Sequence, residues 1–213
     1  MSTYLFAIII LMKEITRRKS YHHKNLKEAL LQTTMQLIET EGYEKITLRE
    51  LAKLLGVSRS AIYRHFDSKE HLFETIILQG FEELKEQIQS VYDQELPITE
   101  KIAKTVEVYV AFAMASPARY RLMFGDKLMQ LREKSCDMDQ DRLDSSFGLL
   151  VSMMQEAQEE GVFAKGDPTE QAVAVWALIH GEASLLIDGH PMVVQQRQKL
   201  LATGLNMILK GLG

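Results

Sequence analysis

Apolar residues recur at intervals of three and four through most of the chain, and no segment shows the sustained alternation typical of a strand. The pattern predicts a first helix over about residues 24–41 and a pair of short helices over 47–66. Further helices are expected near residues 69–93, 98–115, 117–124, 139–160, 168–188 and 191–210. The four prolines stand where predicted helices begin, where a missing amide costs little: Pro97, Pro117, Pro168 and Pro191. The sequence predicts an all-α protein.

Residues 47–66, TLRELAKLLGVSRSAIYRHF, predict two short helices joined by a tight turn. Thr47 and Glu50 have the spacing of a capping box that begins the first helix. Gly56 suits the end of that helix, because the residue just past a helix end often needs a positive φ angle. The second helix has apolar residues on its inner side. Its outward side chains suit hydrogen bonding to base edges and phosphates, and they are Ser58, Arg59, Ser60, Tyr63 and Arg64.

The segment from Leu26 to Phe73 resembles the N-terminal domain of the TetR (tetracycline repressor) family of bacterial transcription regulators. The resemblance is carried by Glu41-Gly42-Tyr43 after the first helix, by the segment LRELAKLLGVSRSAIYRHF, and by Ser68-Lys69-Glu70-His71-Leu72. These elements occur in the order and spacing of the family. A solvated helical hairpin would also fit the helix pair taken alone, and the flanking motifs favour DNA binding.

We predict DNA contacts at the polar positions of this segment: Thr47, Arg49, Ser58, Arg59, Ser60, Tyr63, Arg64 and Lys69. By the resemblance, Tyr63 and Lys69 would mainly bind phosphates, whereas Ser58, Arg59 and Ser60 lie where bases are read. The resemblance also implies that the DNA is a double-stranded operator.

Charge is distributed unevenly along a chain that is acidic overall, with 25 basic and 29 acidic residues. From Lys13 to Lys69 there are 12 basic and 7 acidic residues, and from Glu70 onward there are 13 basic and 22 acidic residues. A positive head favours approach to phosphates, although two ordinary solvated surfaces would give a similar imbalance. The length suits two domains. We expect an extension over 1–20, a DNA-binding domain over 21–68, and a regulatory and dimerisation domain over 69–213.

An apolar run from Tyr4 to Met12 precedes the head. It is too short to cross a bilayer, which takes roughly 20 helical residues. In a secretion signal, basic residues precede the apolar run. Here they follow it, and they are Lys13, Arg17, Arg18 and Lys19. We therefore expect a cytoplasmic protein with a basic arm before the first helix. The run is either an extension packed on another chain or the product of an early translation start, and we favour the second, with Met12 as the physiological start.

Two segments of the C-terminal part, SPARYRLMFG at 116–125 and WALIHG at 176–181, resemble a TetR subgroup with a Trp-His-Gly signature. The resemblance implies a helical domain that binds a small molecule. The candidate pocket residues are Tyr109, Phe112, Ala113, Tyr120, Met123, Phe124, Phe147, Met153, Met154, Trp176 and His180. Aromatic and Met side chains give adaptable apolar walls, and Trp176 or His180 could supply a polar contact. Each residue taken singly is more typical of a packed core.

The last two predicted helices carry stripes suited to close helix packing. Small residues on the first of them are Ala174, Ala177, Gly181 and Ser184. Apolar residues on the second are Val194, Leu201, Leu205, Ile208 and Leu212. Packing within the chain would use the same stripes, but two such helices meeting their symmetry mates would form an isologous four-helix interface. A homodimer also suits DNA half-sites about 34–36 Å apart.

The sequence lacks the motifs of an enzyme: no HExxH, no glycine-rich phosphate loop and no Cys/His nucleophile arrangement is present. The run from Asp137 to Asp141 lacks the glycine and the distal glutamate of a calcium loop, and Cys136 has no zinc-ligand spacing. We therefore expect no catalysis, cofactor or metal. The expected protein is a repressor that leaves a palindromic operator when a small, largely apolar molecule binds. The alternative is a helical protein-interaction module without sequence-specific DNA binding.

Overall fold

The computed structural model describes residues 26–134 and 140–213. These residues form eleven helices and no strand, which confirms the all-α prediction. The helices are α1 (Leu26–Glu41), α2 (Leu48–Leu55), α3 (Arg59–Tyr63), α4 (Lys69–Tyr92), α5 (Ile98–Ala115), α6 (Pro117–Phe124), α7 (Asp126–Lys134), α8 (Gln140–Glu159), α9 (Pro168–Ile187), α10 (Pro191–Val194) and α11 (Arg197–Gly211). The described residues divide into two compact units, of which the first ends at Ile76 and the second begins at Ile77. Their boundary lies within α4, further along the chain than the boundary predicted after residue 68.

The first unit packs α1, α2 and α3 around a small apolar core. Leu30, Leu51 and Ile62 supply one fully buried side chain from each helix. On α1, Ile38 is buried, whereas Leu37 is half-buried. Both α2 and α3 pack on α1, so the inner face of α1 is the one that meets this pair.

In the second unit, α9 packs on α5, α8 and α11. The bounds of α5 and α6 agree with the predicted helices, and α9 ends one residue before the predicted end. Asp167 begins α9 by accepting a hydrogen bond of 2.7 Å from the backbone amide of Thr169. Pro168 follows at the first helical position, as predicted.

Two parts of the second unit differ from the predicted helices. Residues 126–134 form α7, which the sequence analysis missed because five of its nine residues are charged. Leu128 and Leu131, three residues apart, are both buried and hold this helix against the body. The single helix predicted over 191–210 is two helices, α10 and α11. They are separated at Gln195 and Gln196, where the segment QQRQK is exposed and has no apolar residue to hold it in place.

Several predictions lie outside the described residues. They concern the apolar run from Tyr4 to Met12, the basic arm, the start of the first helix at residues 24–25, Cys136 and most of the acidic run. Among the helices of residues 26–134 and 140–213, none is long and apolar enough to span a membrane.

Candidate DNA-binding surface and ligand cavity

The first helix of the helix-turn-helix, α2, is capped at both ends by the residues that flank it. The Thr47 hydroxyl oxygen accepts the backbone amide of Glu50 at 3.2 Å, and the hydroxyl donates to the Glu50 carboxylate at 2.9 Å. The carboxylate thus takes the hydroxyl instead of the Thr47 backbone amide that a capping box uses. At the other end Gly56 has φ 65°, which glycine adopts without the steric cost of a Cβ. These contacts fix the short turn before α3.

The second helix, α3, begins at a serine cap and is only five residues long. The Ser58 hydroxyl oxygen accepts the backbone amide of Ala61 at 3.3 Å and lies 3.0 Å from the Ser60 hydroxyl. Ile62 anchors the inner side of α3, and it is fully buried. Phe66 lies beyond the end of α3 and is also fully buried. Buried anchors on one side leave the polar side of α3 exposed.

The predicted DNA contacts lie mostly on the outside of the first unit. Those that are exposed are Thr47, Arg49, Ser58, Arg59, Ser60, Tyr63 and Arg64. Tyr63 has 55% of its surface exposed although it is large and partly apolar. Residues 47–69 carry five basic and two acidic side chains, so the segment is positive. An exposed, positive, hydroxyl-rich helix is suited to bases and phosphates.

Lys69, the eighth predicted contact, is half-buried at the start of α4. Its ammonium group donates to the carbonyl oxygen of Glu44 at 2.9 Å and lies 5.2 Å from the centre of the Phe73 ring. Ser68 caps α4 by accepting the backbone amide of His71 at 3.0 Å. Lys69 therefore ties the beginning of α4 to the segment before α2, and in this arrangement it stabilises the unit.

The second unit contains a cavity of about 340 Å³ between six helices, α4 to α9. Its walls are mainly aromatic and aliphatic, as in small-molecule sites. The lining residues are Phe81, Leu84, Ile88, Thr105, Tyr109, Phe124, Leu128, Met129, Leu143, Asp144, Ser146, Phe147, Leu150, Val173, Trp176 and Ile179.

The structure distributes the predicted pocket residues over three places. Those that line the cavity are Tyr109, Phe124, Phe147 and Trp176. Tyr120 and His180 do not line it but are hydrogen-bonded to Tyr109. Those that are buried in the core away from the wall are Phe112, Ala113, Met123, Met153 and Met154. The sulfur of Met123, for instance, packs against Gly80, so close that a Cβ at Gly80 would collide with it.

The part of the cavity wall that α4 supplies was not predicted from the sequence. Phe81, Leu84 and Ile88 follow one another at helical spacing and are all buried. This spacing indicates a buried helix face, but it does not distinguish a cavity wall from a packed core. That distinction depends on the opposite helices.

A chain of hydrogen bonds closes one side of the cavity. The indole N–H of Trp176 donates to the Tyr109 hydroxyl at 3.1 Å, and the Tyr109 and Tyr120 hydroxyls are 2.9 Å apart. The Nδ1 atom of His180 lies 2.6 Å from the Tyr120 hydroxyl and 3.1 Å from the Tyr109 hydroxyl. Ser184, predicted in the dimer interface, also forms a hydrogen bond to Tyr120.

Burial sets the protonation of this cluster, defined by Tyr109, Tyr120, Trp176 and His180. It lowers the pKa of His180, so the ring is neutral at pH 7, and its Nδ1 atom shares hydrogen bonds with the two tyrosine hydroxyls. It raises the pKa of Tyr109 to about 12 and the pKa of Tyr120 further, so both hydroxyls keep their protons. The cluster is a neutral network whose donors and acceptors are matched to one another.

The last three helices expose apolar side chains. Five of the seven large apolar residues most exposed in the described part of the chain belong to them, and they are Val173, Leu185, Met192, Val194 and Met207. Of the predicted dimer residues, those with exposed side chains are Ala174, Ala177 and Val194, and those that are half-buried are Gly181, Ser184, Leu201 and Leu205. Ile208 is buried within the unit and does not belong to this face.

Glu182 occupies the hollow that Gly204 leaves on α11. The carboxylate lies so close that a Cβ on Gly204 would collide with it. The residue is 5% exposed, and its Oε2 atom has no hydrogen-bond partner among the described residues. Burial raises the pKa of Glu182 to about 7. The stripe that the sequence predicted for a partner chain is thus used, at this point, by packing within the chain.

Comparison with known proteins agrees with this architecture. Residues 30–76 match the family of bacterial regulatory proteins, tetR family, and residues 102–208 match the tetracyclin repressor-like C-terminal domain. The nucleoid occlusion factor SlmA of Vibrio campbellii is 32% identical over 152 residues, which cover 70% of this chain and 76% of that protein.

Solved structures share the fold over nearly the whole chain. A protein of unknown function from Rhodococcus sp. RHA1 is 26% identical and has a TM-score of 0.75, with 90% of this chain and 97% of that one covered. The fatty acid degradation regulator FadR from Bacillus halodurans is 18% identical with a TM-score of 0.68, with 85% and 93% covered, and shares the fold alone.

An exposed helix-turn-helix joined to an all-α body defines a DNA-binding transcription regulator. The chain belongs to the tetR family of bacterial regulatory proteins. The resemblance to this family is therefore confirmed, whereas the resemblance to the Trp-His-Gly subgroup stays a prediction.

Proposed function

We propose that the chain is a ligand-responsive repressor that binds a palindromic operator as a homodimer and leaves it when a small molecule fills the cavity. The observation that carries this proposal is the course of α4. The helix begins at Lys69, a predicted DNA contact, and contributes Phe81, Leu84 and Ile88 to the cavity wall. One continuous helix therefore belongs to both functional regions.

The proposed ligand releases the protein from its operator because it binds one arrangement of the helices more tightly than the other. A ligand that fills the cavity favours the arrangement of α4 in which Phe81, Leu84 and Ile88 fit it best. The start of α4 then moves the helix-turn-helix, and the distance between the two α3 helices of a dimer leaves the spacing of about 34–36 Å that two half-sites require. The same coupling makes operator DNA weaken ligand binding.

The exposed apolar face of α9 and α10 supports the homodimer. Ala174 and Ala177 let a partner helix approach closely, and Val194 and Met192 offer apolar area that is exposed in one chain. A two-fold interface brings the same face of both chains together. The proposal includes a cytoplasmic location, because a protein that binds an operator has to reach the chromosome.

Nucleoid occlusion is a second candidate function. It is favoured by the similarity to the nucleoid occlusion factors, because this similarity extends over 152 residues and so beyond the DNA-binding segment. A gene deletion separates the two functions. Altered transcription next to the binding site, with normal placement of division septa, supports the repressor. Septa that form across the nucleoid, with unchanged transcription, support nucleoid occlusion.

The decisive experiment is fluorescence-anisotropy binding to the DNA that flanks the gene, over a salt series and against scrambled competitor. We expect specific binding that weakens with salt. Replacement of Tyr63 by alanine should lower the affinity about 10- to 100-fold, the usual range for one lost DNA contact. Lys53→Ala is the matched control, because Lys53 is exposed on α2 and is not a predicted contact. Binding that never exceeds the scrambled competitor and ignores Tyr63→Ala would contradict operator recognition.

A further inference from the structure

The composition of the cavity wall bears on the charge of the ligand. We infer that the cavity takes an uncharged apolar molecule and rejects apolar ions, including carboxylates with a long alkyl chain. This inference rests on the proposed function, since it specifies the class of molecule that acts there. It depends on three properties of the second unit: the charge of the wall, the pairing of the nearby cations, and the closed hydrogen-bond cluster.

The described part of the wall has no cationic side chain to neutralise an anion. Among the described lining residues, none is Lys, Arg or His, and the one acidic side chain is that of Asp144. Tyr109 remains protonated, because burial raises its pKa to about 12. A carboxylate that enters loses its hydration and finds no positive partner, which is costly in an apolar surrounding.

Three cations on the surrounding helices are paired with carboxylates that do not line the cavity. The pairs are Arg119 with Glu83 at 2.7 Å, Arg121 with Asp188 at 2.7 Å, and Lys101 with Glu156 at 3.0 Å. None of these six residues lines the cavity. Moving one of the three cations to a ligand would leave its carboxylate partner unpaired.

The cluster beside the cavity cannot serve as an anion site either. The indole N–H of Trp176 is already donated to Tyr109, and the two tyrosine hydroxyls are directed to each other and to His180. Burial keeps His180 neutral, so no positive charge faces the cavity from this side. An anion needs several free donors, and the cluster uses its own donors internally.

Cationic ligands are disfavoured for a related reason. Asp144 already interacts with another group of the chain, so it is a poor counter-ion for a ligand inside the cavity. The remaining polar groups of the wall include the hydroxyls of Thr105 and Ser146. Hydroxyls can bind a hydroxyl or carbonyl group of a neutral ligand, whereas the aromatic and aliphatic walls hold its apolar part.

Trp176 makes the inference directly measurable, because it is the only tryptophan of the chain and lines the cavity. We would titrate the full-length protein at pH 7.5 with 1-decanol, decanoate and decylammonium, which share one alkyl chain and differ in charge. We expect a saturable change in Trp176 fluorescence and an affinity for decanol at least about tenfold higher than for either ion. Operator binding is measured in parallel by anisotropy.

A charge introduced into the wall gives the matched variant. Met129 lines the cavity from α7 and is 57% exposed, so Met129→Lys adds a cation at little risk to folding, and Met129→Gln adds a polar group without charge. Relative to Met129→Gln, Met129→Lys should bind decanoate about tenfold more tightly and decanol within about twofold. No such gain for decanoate would overturn the charge argument.

The outcomes separate the inference from the proposed function. Preference of the unaltered protein for decanoate or decylammonium overturns the inference, whereas a ligand-dependent loss of operator binding in the same experiment still supports a ligand-responsive regulator. Binding of none of the three molecules, with operator binding intact, overturns the cavity as a ligand site and with it both the inference and the ligand-responsive part of the proposed function.

Discussion

The two units carry their functional residues in opposite environments. In the first unit, polar residues of α2 and α3 are exposed around a small core, and the segment from Thr47 to Arg64 contains seven of the eight predicted contacts. In the second unit, the polar groups of interest are buried, and the cavity draws on six helices between Phe81 and Ile179. An exposed site can be built from neighbouring residues, whereas an enclosed site needs walls on several sides.

The contrast also extends to electrostatics. Arg59 and Arg64 are exposed, where water stabilises their charges until DNA binds. His180 and Glu182 lie in the second unit, where burial shifts the pKa of each group toward its neutral form. The first unit is therefore suited to recognise a polyanion, and the second to hold uncharged surfaces together.

The largest expected effect tests whether the two units are stable separately. Phe66→Ala removes a fully buried side chain from the small first core, which typically costs about 3–5 kcal/mol. We expect operator binding to be lost, whereas the Trp176 response to decanol persists. Urea unfolding followed by circular dichroism and by Trp176 fluorescence measures the two effects.

Tyr63→Ala is the control for this experiment, because it changes an exposed residue of the same unit. It should lower operator affinity without changing the unfolding curve. Simultaneous loss of DNA and ligand binding in Phe66→Ala would contradict separate stability of the two cores.

The buried carboxylate of the second unit should make its stability depend on pH. Burial raises the pKa of Glu182 from an ordinary 4.5 to about 7. The protonated carboxyl group contributes fully to stability below pH 4.5, the pKa of the group in the unfolded chain. This contribution is lost as pH rises through about 7, because the group ionises at a lower pH in the unfolded chain than in the folded one. Glu182→Gln removes this loss, so we expect it to be more stable than the unaltered protein by about 1–3 kcal/mol at pH 8.

Urea unfolding at pH 5 and pH 8, at a single protein concentration, checks this sign. The advantage of Glu182→Gln should shrink strongly at pH 5. Glu170→Gln, at an exposed position of the same helix, should show little difference at either pH. A variant advantage that is equal at both pH values would mean that the titration of Glu182 is not its cause.

The smallest expected effect concerns the hydrogen-bond cluster. Tyr109→Phe removes the oxygen that accepts from Trp176 and leaves that N–H without its partner, which costs about 1–2 kcal/mol. Trp176 fluorescence should shift because the indole loses its hydrogen bond. Tyr63→Phe deletes the same atom from an exposed tyrosine and should leave unfolding unchanged. If both variants changed the free energy of unfolding equally, the hydroxyl of the buried Tyr109 would contribute no more to stability than that of the exposed Tyr63.

Prediction from sequence worked best where structure depends on neighbouring residues. The cap at Thr47, the left-handed Gly56 and the proline at the start of α9 all follow from local backbone requirements. The helix α7 was missed because charged residues mask its two buried leucines. The break at Gln196 was missed because a polar segment resembles a helix surface when its lack of core contacts is unknown.

Predictions for the buried site had a mixed outcome for a different reason. Aromatic residues and methionines at helical spacing are all predicted to be buried. The sequence offers no rule that assigns Phe124 to a cavity wall and Phe112 to the core. The apolar stripe on the last helix was likewise divided: Ile208 is buried within its own chain, whereas Leu201 and Leu205 are half-buried. These assignments depend on the positions of other helices.

The sequence by itself determined the family, the all-α class, the helix-turn-helix and its outward polar residues, because caps, turns and helix periodicity depend on residues close together in the chain. Only the tertiary structure decided which residues enclose the cavity, that Tyr109 and Tyr120 meet His180, and that Glu182 fills the hollow at Gly204. Tyr109 and His180 are 71 positions apart. Contacts across such distances arise when helices pack, and packing depends on the shapes of all the surfaces that meet.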